Sequence, residues 1–458
     1  MFLGVMRGQR PLIVCYNLFM GKKILLINPW IYDFTAFDLW LKPLGLLYLA
    51  SHLLNQGYEV ELLDCLNRLD PDCPPISRGP RYLREAGCGS YYKEILPRPS
   101  FFRHIPRYWG RFGLPFDKVK SRMEMLSSPD LVFITAGMTY WYPGAVVAKE
   151  LSQKIWPEAQ TVLGGIYPVL CPEHADSWGF DYVVKVADPV LVMKELGGIL
   201  ETDFQVESYE DFFSLKPAFF LYPRLSYTVL LTSLGCPFRC SYCASGKLYP
   251  SFWHRPTEEV IEEILFFKEQ YGIKDIAFYD DALLFQAEKH FLPLLRKLAE
   301  LSPGFRFHLP NSIHPAYVTP QIAQLMKKVG FKTLRMSLET ASPLWQAKTG
   351  GKVNNYALER ATRYFLDAGF TPQDLEVYLL FGLPGISEEE MINSIKYVKS
   401  WGLKPRLSLY SPIPHTPDYY KIGNLPPDEP LFHNKVAFLY QSGNDSLYQK
   451  LQEELRGS

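Results

Sequence analysis

Three cysteines lie close together in the middle of the chain, at positions 236, 240 and 243. They follow the apolar run 227–231, and the Gly-Cys-Pro turn indicates a buried strand that opens into a loop. Three thiolates on one loop can hold three irons of a four-iron cluster and leave the fourth iron free to bind a ligand. Cys236, Cys240 and Cys243 are therefore the predicted metal ligands and catalytic residues.

A zinc site and unused thiols are the alternatives for these cysteines. Structural zinc sites usually take four ligands as two separated pairs, and no cysteine follows position 243. The other five cysteines, at positions 15, 65, 73, 88 and 171, lack the regular spacing of a secreted disulfide framework. We therefore favour the cluster, and we expect reduced thiols and a cytoplasmic location.

Further polar residues lie where predicted strands end. Glu339 can take both hydroxyls of a ribose there, with a solvated acid as the alternative. Asp280 and Asp281 are either ligand contacts or loop caps, and the glycine turn at 382–385 either lets a nucleotide approach the backbone or is a plain turn. The candidate residues on this side are Tyr242, Asp280, Asp281, Asn311, Arg335, Glu339, Gly382, Pro384 and Gly385.

The sequence leaves the roles of two side chains within predicted strands open. The partner of Arg335 is either a carboxylate of the ligand or a neighbouring acid. His308, between Phe307 and Leu309, is more often a packed core histidine than an acid or a base.

Six predicted strands must position these residues, and helical patterns separate them. The strands are residues 227–231, 275–279, 306–309, 333–338, 375–381 and 406–410. Six strands are too few to close an eight-stranded barrel, so we predict an open, partial (β/α)6 barrel of the TIM type. Such barrels carry their chemistry at the C-terminal strand ends. The residues expected to share that rim are the three cysteines, Asp280, Asp281, Asn311, Glu339 and the turn at 382–385.

Strands and helices also alternate in the N-terminal third, which predicts an α/β, Rossmann-like, doubly wound parallel sheet. The predicted strands are residues 23–28, 58–63, 131–136, 160–163 and 182–186. Ligands bind such sheets beyond the C-terminal strand ends, although the fold pattern alone also allows a domain that binds nothing. The candidate residues at this rim are Asn28, Asp64, Thr139, Gly164 and Gly165.

The predicted organisation has five parts: an unstructured extension (1–20), a Rossmann-like domain (21–200), a linker (201–224), the partial barrel (225–420) and a helical tail (421–458). We expect Met20 to be the natural start. An irregular insert at about 67–122 interrupts the first domain, and its residues 74–122 contain eleven Lys or Arg against three Asp or Glu. The insert either embraces an anionic or lipid-like substrate or is a solvated flap.

The composition of the chain restricts the class of protein to which it can belong. The chain has 458 residues, 47% of them hydrophobic and 21% charged, as in globular proteins. Its formal net charge is zero, which gives no global attraction to nucleic acid. No apolar run reaches the roughly 18 residues that a membrane span needs.

The chain resembles radical S-adenosylmethionine (SAM) enzymes with an N-terminal domain of the cobalamin-binding type, from about residue 23 to about residue 420. In the C-terminal half the resemblance rests on Thr232-Ser233-Leu234-Gly235-Cys236-Pro237-Phe238-Arg239-Cys240-Ser241-Tyr242-Cys243, Phe278-Tyr279-Asp280-Asp281, Ser337-Leu338-Glu339-Thr340 and Phe381-Gly382-Leu383-Pro384-Gly385. In the N-terminal half it rests on Pro43-Leu44-Gly45-Leu46, Asp64, Asp130-Leu131-Val132-Phe133-Ile134-Thr135 and Leu163-Gly164-Gly165. The cysteine motif is the most specific of these.

The resemblance implies a [4Fe–4S] cluster that binds SAM at its open iron and generates a 5′-deoxyadenosyl radical. It implies that Glu339 binds the ribose and that the 382–385 turn contacts the adenine side. In cobalamin-dependent members, methylcobalamin on the N-terminal sheet supplies a methyl group to the substrate radical. A reducing partner such as flavodoxin or ferredoxin is also implied.

The chain departs from the family pattern at two places. Lys185-Val186-Ala187-Asp188-Pro189 stands where the family usually has a Gly-Glu-Gly-Glu-like stretch, and Pro414-His415-Thr416-Pro417 replaces a Pro-Gly-Thr. There is also no Asp-x-His-x-x-Gly run to supply a lower cobalt ligand.

We therefore predict a cobalamin-dependent radical SAM methyltransferase acting on an unactivated carbon of a small-molecule or lipid-like substrate. The alternatives are a radical cyclisation, rearrangement or oxidation without methyl transfer, and a non-enzymatic iron–sulfur redox sensor. No nucleic acid partner is expected, because the segment after Tyr420 is too short for an RNA-binding barrel.

Overall fold

The computed structural model describes residues 21–76, 81–301, 304–423, 425 and 428–456. The predicted extension and the position of Met20 lie outside these residues. The strands of the N-terminal half are β1 (Lys23–Asn28), β2 (Ile31–Asp33), β3 (Phe37–Asp38), β4 (Glu59–Asp64), β5 (Gly89–Ser90), β6 (Lys93–Leu96), β7 (Trp109–Phe112), β8 (Leu131–Ala136), β9 (Gln160–Gly165) and β10 (Tyr182–Val183). Its helices are α1 (Leu44–Asn55), α2 (Arg81–Glu85), α3 (Phe116–Met125), α4 (Tyr142–Ile155), α5 (Ile166–Leu170), α6 (Pro172–Asp176), α7 (Pro189–Leu200) and α8 (Tyr209–Phe213).

The N-terminal sheet has five parallel strands in the order β10-β9-β8-β1-β4. Alternate side chains of β1 enter two different hydrophobic cores, Ile24 and Leu26 on one face and Leu25 and Ile27 on the other. Burial on both faces is what a parallel sheet covered by helices requires. The doubly wound prediction is therefore confirmed.

The insert contains regular structure, although its sequence indicated none. Strands β6 and β7 form an antiparallel pair that continues onto β2, and β5 pairs with β3. These strands are two to four residues long, too short to show a period-2 pattern. Two of their partners, β2 and β3, also lie upstream of the insert, so its own sequence did not reveal the pairing.

The C-terminal half contains the strands β11 (Thr228–Leu230), β12 (Ser233–Leu234), β13 (Trp253–His254), β14 (Asp275–Phe278), β15 (Arg306–His308), β16 (Phe331–Glu339), β17 (Leu375–Phe381) and β18 (Lys404–Leu409). Its helices are α9 (Ser245–Leu248), α10 (Thr257–Tyr271), α11 (Phe291–Leu301), α12 (Pro320–Val329), α13 (Pro343–Lys348), α14 (Asn355–Asp367), α15 (Glu388–Ser400), α16 (Pro417–Tyr420), α17 (Lys435–Gln441) and α18 (Asp445–Arg456).

Six of these strands form one parallel sheet in the order β11-β14-β15-β16-β17-β18. Within the described residues β11 and β18 are its two edges, so the sheet is an open, partial barrel as predicted. One hydrophobic core runs from this barrel to the N-terminal sheet, since Ile264 of α10 and Leu47 of α1 belong to the same buried cluster.

A loop of the N-terminal half enters the barrel. Trp40, fully buried and with a φ of 58°, stacks on His308 at a ring-centroid distance of 4.4 Å. Its indole Nε1 donates to the Ala86 carbonyl at 3.0 Å, and its own carbonyl accepts from the Tyr279 hydroxyl. His308 is thus a packed core histidine, as its apolar neighbours indicated.

The C-terminal tail returns to the N-terminal half. Asn434 caps α17 with its side-chain oxygen and donates from Nδ2 to the buried Asp33 at 2.9 Å. Phe432 packs against Phe101 and Phe102 of the insert. In the part of the chain that the structure describes, we find no helix of the length and apolarity needed to cross a membrane.

Candidate functional site

The cysteine loop is attached to the barrel by Asp280. This buried carboxylate accepts hydrogen bonds from the backbone N–H of Thr232 at 3.0 Å, the Thr232 hydroxyl at 2.7 Å and the Ser233 hydroxyl at 2.6 Å. Burial raises the pKa of Asp280, and these donors oppose that rise. Asp280 therefore fixes the start of the loop relative to β14 and lines neither of the cavities described below.

Gly235 allows the loop to turn away from its strand. Its φ is +78°, a conformation that costs glycine little. A Cβ atom here would lie 2.1 Å from the Ser251 carbonyl oxygen. Only glycine fits at the residue immediately before Cys236.

The three thiols are brought to one side of the barrel rim. Cys240 is buried, Cys236 is partly buried and Cys243 is exposed. Burial raises the pKa of the Cys240 thiol, and the charge of Lys352 opposes this rise. The described residues contain no group of three His, Cys, Asp or Glu side chains converging on a single metal ion. A four-iron cluster does not require such convergence, because each thiolate binds a different iron.

Lys352 is a site residue that sequence reasoning missed. Burial lowers its pKa, but the charges of Glu339 and of the three cysteines outweigh that effect and raise it. It follows Gly350 and Gly351, and Gly350 packs against the cysteine loop, where a Cβ would lie 3.1 Å from the Arg239 carbonyl oxygen. In the sequence, the pair of glycines followed by a lysine could have indicated that Lys352 belongs to the site.

A polar cavity of about 360 Å³ lies above the strand ends of the barrel. The Tyr242 hydroxyl donates to Oε1 of Glu339 at 2.8 Å across it, and Glu339 has a φ of +62° at the end of β16. We call this the polar cavity. Its lining residues are Tyr242, Asp281, Pro310, Asn311, Ser312, Glu339, Lys352, Tyr378, Leu380 and Ser408.

Other candidates of the barrel lie outside the lining of this cavity. Arg335 donates from Nε to the buried Glu376 at 3.0 Å, so its partner is a neighbouring acid. Gly385 approaches the ring of Trp345, and Gly382 and Pro384 do not line the polar cavity. Asn311 does line it, and its Nδ2 donates to the Tyr279 carbonyl at 3.0 Å.

A larger cavity of about 600 Å³ lies between the two halves, and we call it the apolar cavity. From the N-terminal half it is lined by Asn28, Thr139 and Gly165 together with Gly45 and several aromatic residues. From the barrel half it is lined by Cys243, Ser245, Leu248, Tyr249, Tyr279 and Asp281. The rim of the N-terminal sheet therefore faces the cysteine loop.

Two of the N-terminal candidates are not part of this lining. Asp64 accepts from Nδ2 of Asn28 at 2.7 Å and from the Tyr222 hydroxyl at 2.6 Å, so it holds Asn28 in place. Gly164 lies in β9 next to Gly165 but outside the lining. Thr139 is supported from behind by the buried His433, whose Nδ1 is 3.1 Å from its hydroxyl.

Asp281 lines both cavities, and it is the residue that their linings share. Its Oδ2 accepts from the Ser245 hydroxyl at 2.6 Å, two residues after Cys243. The polar cavity and the apolar cavity thus adjoin each other at Asp281, beside the cysteine loop.

The geometry agrees with comparisons to known proteins. The sequence model of the Radical SAM superfamily matches residues 230–398. These residues form a radical SAM domain. Among curated relatives, an uncharacterized methyltransferase of Pyrococcus horikoshii is 25% identical over 325 residues, covering 63% of this chain and 68% of that protein. The cytidylyl-2-hydroxyethylphosphonate methyltransferase of Streptomyces wedmorensis is 22% identical, covering 83% and 78%.

Solved structures share the arrangement of the two halves. The radical SAM methyltransferase TsrM from Kitasatospora setae superposes with a TM-score of 0.62 at 18% identity, covering 88% of this chain and 76% of that one. The cobalamin-dependent radical SAM enzyme OxsB gives a TM-score of 0.55 at 11% identity, covering 90% of this chain and 56% of OxsB. The chain therefore shares the overall fold of these two enzymes.

Proposed function

We propose that this radical SAM enzyme methylates an unactivated carbon of a small molecule, with cobalamin as the methyl carrier. The observation that carries the proposal is that the cysteine loop and Asp281 separate a polar cavity from an apolar one. When bound, a [4Fe–4S] cluster and SAM would supply a radical that abstracts hydrogen, and cobalamin would supply the methyl group.

The residues of the polar cavity fit a cluster and an adenosyl ligand. Three thiolates would add three negative charges around the irons, and the cation of Lys352 would offset part of that charge. Glu339, already held by the Tyr242 hydroxyl, offers carboxylate oxygens to the two hydroxyls of a ribose. We assign SAM to this cavity.

The apolar cavity fits a large, flat ligand. Gly45 lines it, and among the described residues no atom beyond its chain neighbours and its own helix backbone lies within 4 Å of where its Cβ would be, so α1 presents open space there. Gly165 has a φ of +96° and a backbone that a ligand can approach closely. The described residues that line it include no histidine, so they offer no imidazole to a cobalt ion. We assign cobalamin to this cavity.

Asp281 would contact both ligands or the substrate between them. Within the described residues its Oδ2 accepts a hydrogen bond from Ser245, and its Oδ1 can accept from a substrate N–H or O–H. We propose that it orients the substrate. Electrons for the cluster would come from a partner such as flavodoxin or ferredoxin.

The proposal is tested with the anaerobically reconstituted enzyme. We expect it to consume SAM, to give the visible absorption of an iron–sulfur cluster and, with cobalamin supplied, to retain a corrin spectrum after gel filtration. SAM with a CD3 methyl group is then added with a small-molecule extract. A product heavier by that labelled methyl group supports the proposal, and loss of the corrin on gel filtration would contradict the cobalamin assignment.

A radical reaction without methyl transfer is the second candidate. It is favoured by the anaerobic magnesium-protoporphyrin IX monomethyl ester cyclase of Rubrivivax gelatinosus, 19% identical over 346 residues, which cover 67% of this chain and 61% of that one. The same labelling experiment separates the two. A product that lacks the label and is changed only in its hydrogen or oxygen content supports cyclisation, rearrangement or oxidation.

A further inference from the structure

The hairpin formed by β6 and β7 exposes apolar and basic side chains together. Ile95 is 63% exposed, Tyr108 is 71% exposed and Phe101 is 38% exposed, although each of these side chains is large and apolar. The arginines of the same tip are also exposed. We define the tip surface as Ile95, Arg98, Phe101, Arg103, His104, Arg107 and Tyr108.

Charge on this tip is of one sign. Residues 95–116 contain four arginines and neither Asp nor Glu. One of them, Arg111, is turned inward and donates to Glu94 at 2.9 Å, which leaves Arg98, Arg103 and Arg107 on the tip. The whole chain is formally neutral, so this positive charge is balanced by acids elsewhere and not within the tip. The tip surface therefore has a local positive potential on a neutral protein.

Packing beneath the tip holds it in this conformation. Trp109 and Phe102 are buried under it, and Phe34 packs against Trp109 with ring centroids 5.0 Å apart. A guanidinium nitrogen of Arg98 donates to the Ile105 carbonyl, which closes the loop between the strands. The exposed side chains are thus presented by an ordered hairpin.

We propose that the tip surface docks on an anionic lipid membrane. Aromatic and aliphatic side chains insert at the boundary between headgroups and acyl chains, while arginines bind the lipid phosphates. Charge complementarity favours an anionic surface. The exposed aliphatic Ile95 favours lipid over nucleic acid, because a nucleic acid offers it phosphates and base faces but no apolar interior.

The hairpin is continuous with the wall of the apolar cavity. β7 pairs with β2, and Ile31 of β2 lines that cavity. A membrane bound at the tip would therefore be connected to the proposed active site through three strands of one small sheet. Docking itself does not depend on the proposed reaction.

The test is sedimentation of the full-length protein with vesicles. We expect binding to vesicles of phosphatidylcholine with about one third phosphatidylglycerol, and at least about tenfold weaker binding to phosphatidylcholine alone. Replacing Arg103 and Arg107 with Gln should weaken binding to the anionic vesicles about 25-fold, since each surface arginine contributes roughly fivefold. Arg98 is kept, because it closes the loop between the strands. The double substitution Ile95→Ser and Tyr108→Ser should weaken binding to both kinds of vesicle.

Matched controls lie on the barrel half. The double substitution of the exposed Lys274 and Lys289 by Gln removes the same charge, and Leu344→Ser with Tyr356→Ser removes comparable exposed apolar surface. Both control proteins should bind vesicles as the parent does.

The proposal is overturned if the parent does not sediment with anionic vesicles, if the controls lose binding equally, or if the tip binds single-stranded RNA and not lipid. Because vesicle binding needs no cofactor, failure here leaves the enzymatic proposal intact.

Discussion

The two cavities of this protein differ in how they are built. The polar cavity lies at the strand ends of one sheet, and charged side chains such as Glu339 and Lys352 dominate its chemistry. The apolar cavity lies between two sheets, and its walls come from segments as far apart as Asn28 and Ile413. The polar cavity is suited to bind charged groups and hydroxyl groups, whereas the apolar cavity selects a ligand by its shape. The difference indicates that the two proposed cofactors can be separated by mutation, each through its own cavity.

The largest expected effect is that of Cys240→Ala. It removes the buried thiol of the cysteine loop, so we expect SAM consumption to fall by at least about 1,000-fold and bound iron to drop. Iron analysis and chromatography of the reaction measure this. The control Cys73→Ala alters a half-buried thiol in the insert, far from the cysteine loop in sequence. It should change neither SAM consumption nor bound iron. A Cys240→Ala protein that still consumed SAM would remove the basis for assigning the cluster to this loop.

Lys352→Met tests the charge in the polar cavity. Loss of the cation beside Glu339 and the thiols should weaken SAM binding about 30-fold, the range of a charge-assisted contact. Equilibrium binding measured anaerobically gives the value. The exposed Lys348, four residues earlier, supplies the control Lys348→Met. Cobalamin binding should be unchanged in both variants, and an equal loss of both cofactors would show that the cavities are not independent.

Gly45→Phe tests the apolar cavity by filling part of it. The new ring would enter open space, so no clash is expected at the Cβ position and helix α1 should remain stable. We expect cobalamin affinity to fall about tenfold while SAM affinity is retained, measured by corrin absorbance after gel filtration. Gly198→Phe is the control, because Gly198 is equally unobstructed and lies outside the cavity. Unchanged cobalamin binding in Gly45→Phe would place the corrin elsewhere.

Tyr242→Phe should have the smallest effect. It deletes only the hydroxyl that donates to Glu339 at 2.8 Å. A typical intramolecular hydrogen bond contributes about 1 kcal/mol, so we expect the KM for SAM to rise about fivefold with little change in kcat. Steady-state kinetics of SAM consumption separate the two parameters. A large fall in kcat would instead assign the hydroxyl a role in the reaction.

The contrast between the cavities also explains what could be predicted from the sequence. Asn311 and Glu339 lie at or just after the ends of β15 and β16, whose apolar patterns were recognisable, and Tyr242 lies in the loop that follows β12. The structure places all three in the polar cavity. Arg335 lies further back in its strand, and its pairing with Glu376 needed the register of β16 and β17. Lys352 belongs to a loop without periodicity, so only the fold brings it to the thiols.

The N-terminal rim was harder to predict for a different reason. Strand order places Asn28 and Asp64 side by side, yet only Asn28 faces the cavity while Asp64 supports it. The apolar lining depends on how the two sheets dock, and no local pattern encodes that contact. The candidate site residues of both rims remain predictions that the variants above address.

Trp40 has a consequence for how this protein can be divided. Its ring belongs to the first domain in sequence but occupies the interior of the second, where it covers His308. A fragment that begins after the linker would leave that interior open to water beside buried charges such as Asp275. We therefore expect the barrel segment expressed alone to aggregate or to be degraded. For the same reason we expect recombination that separates the two halves to give unstable proteins.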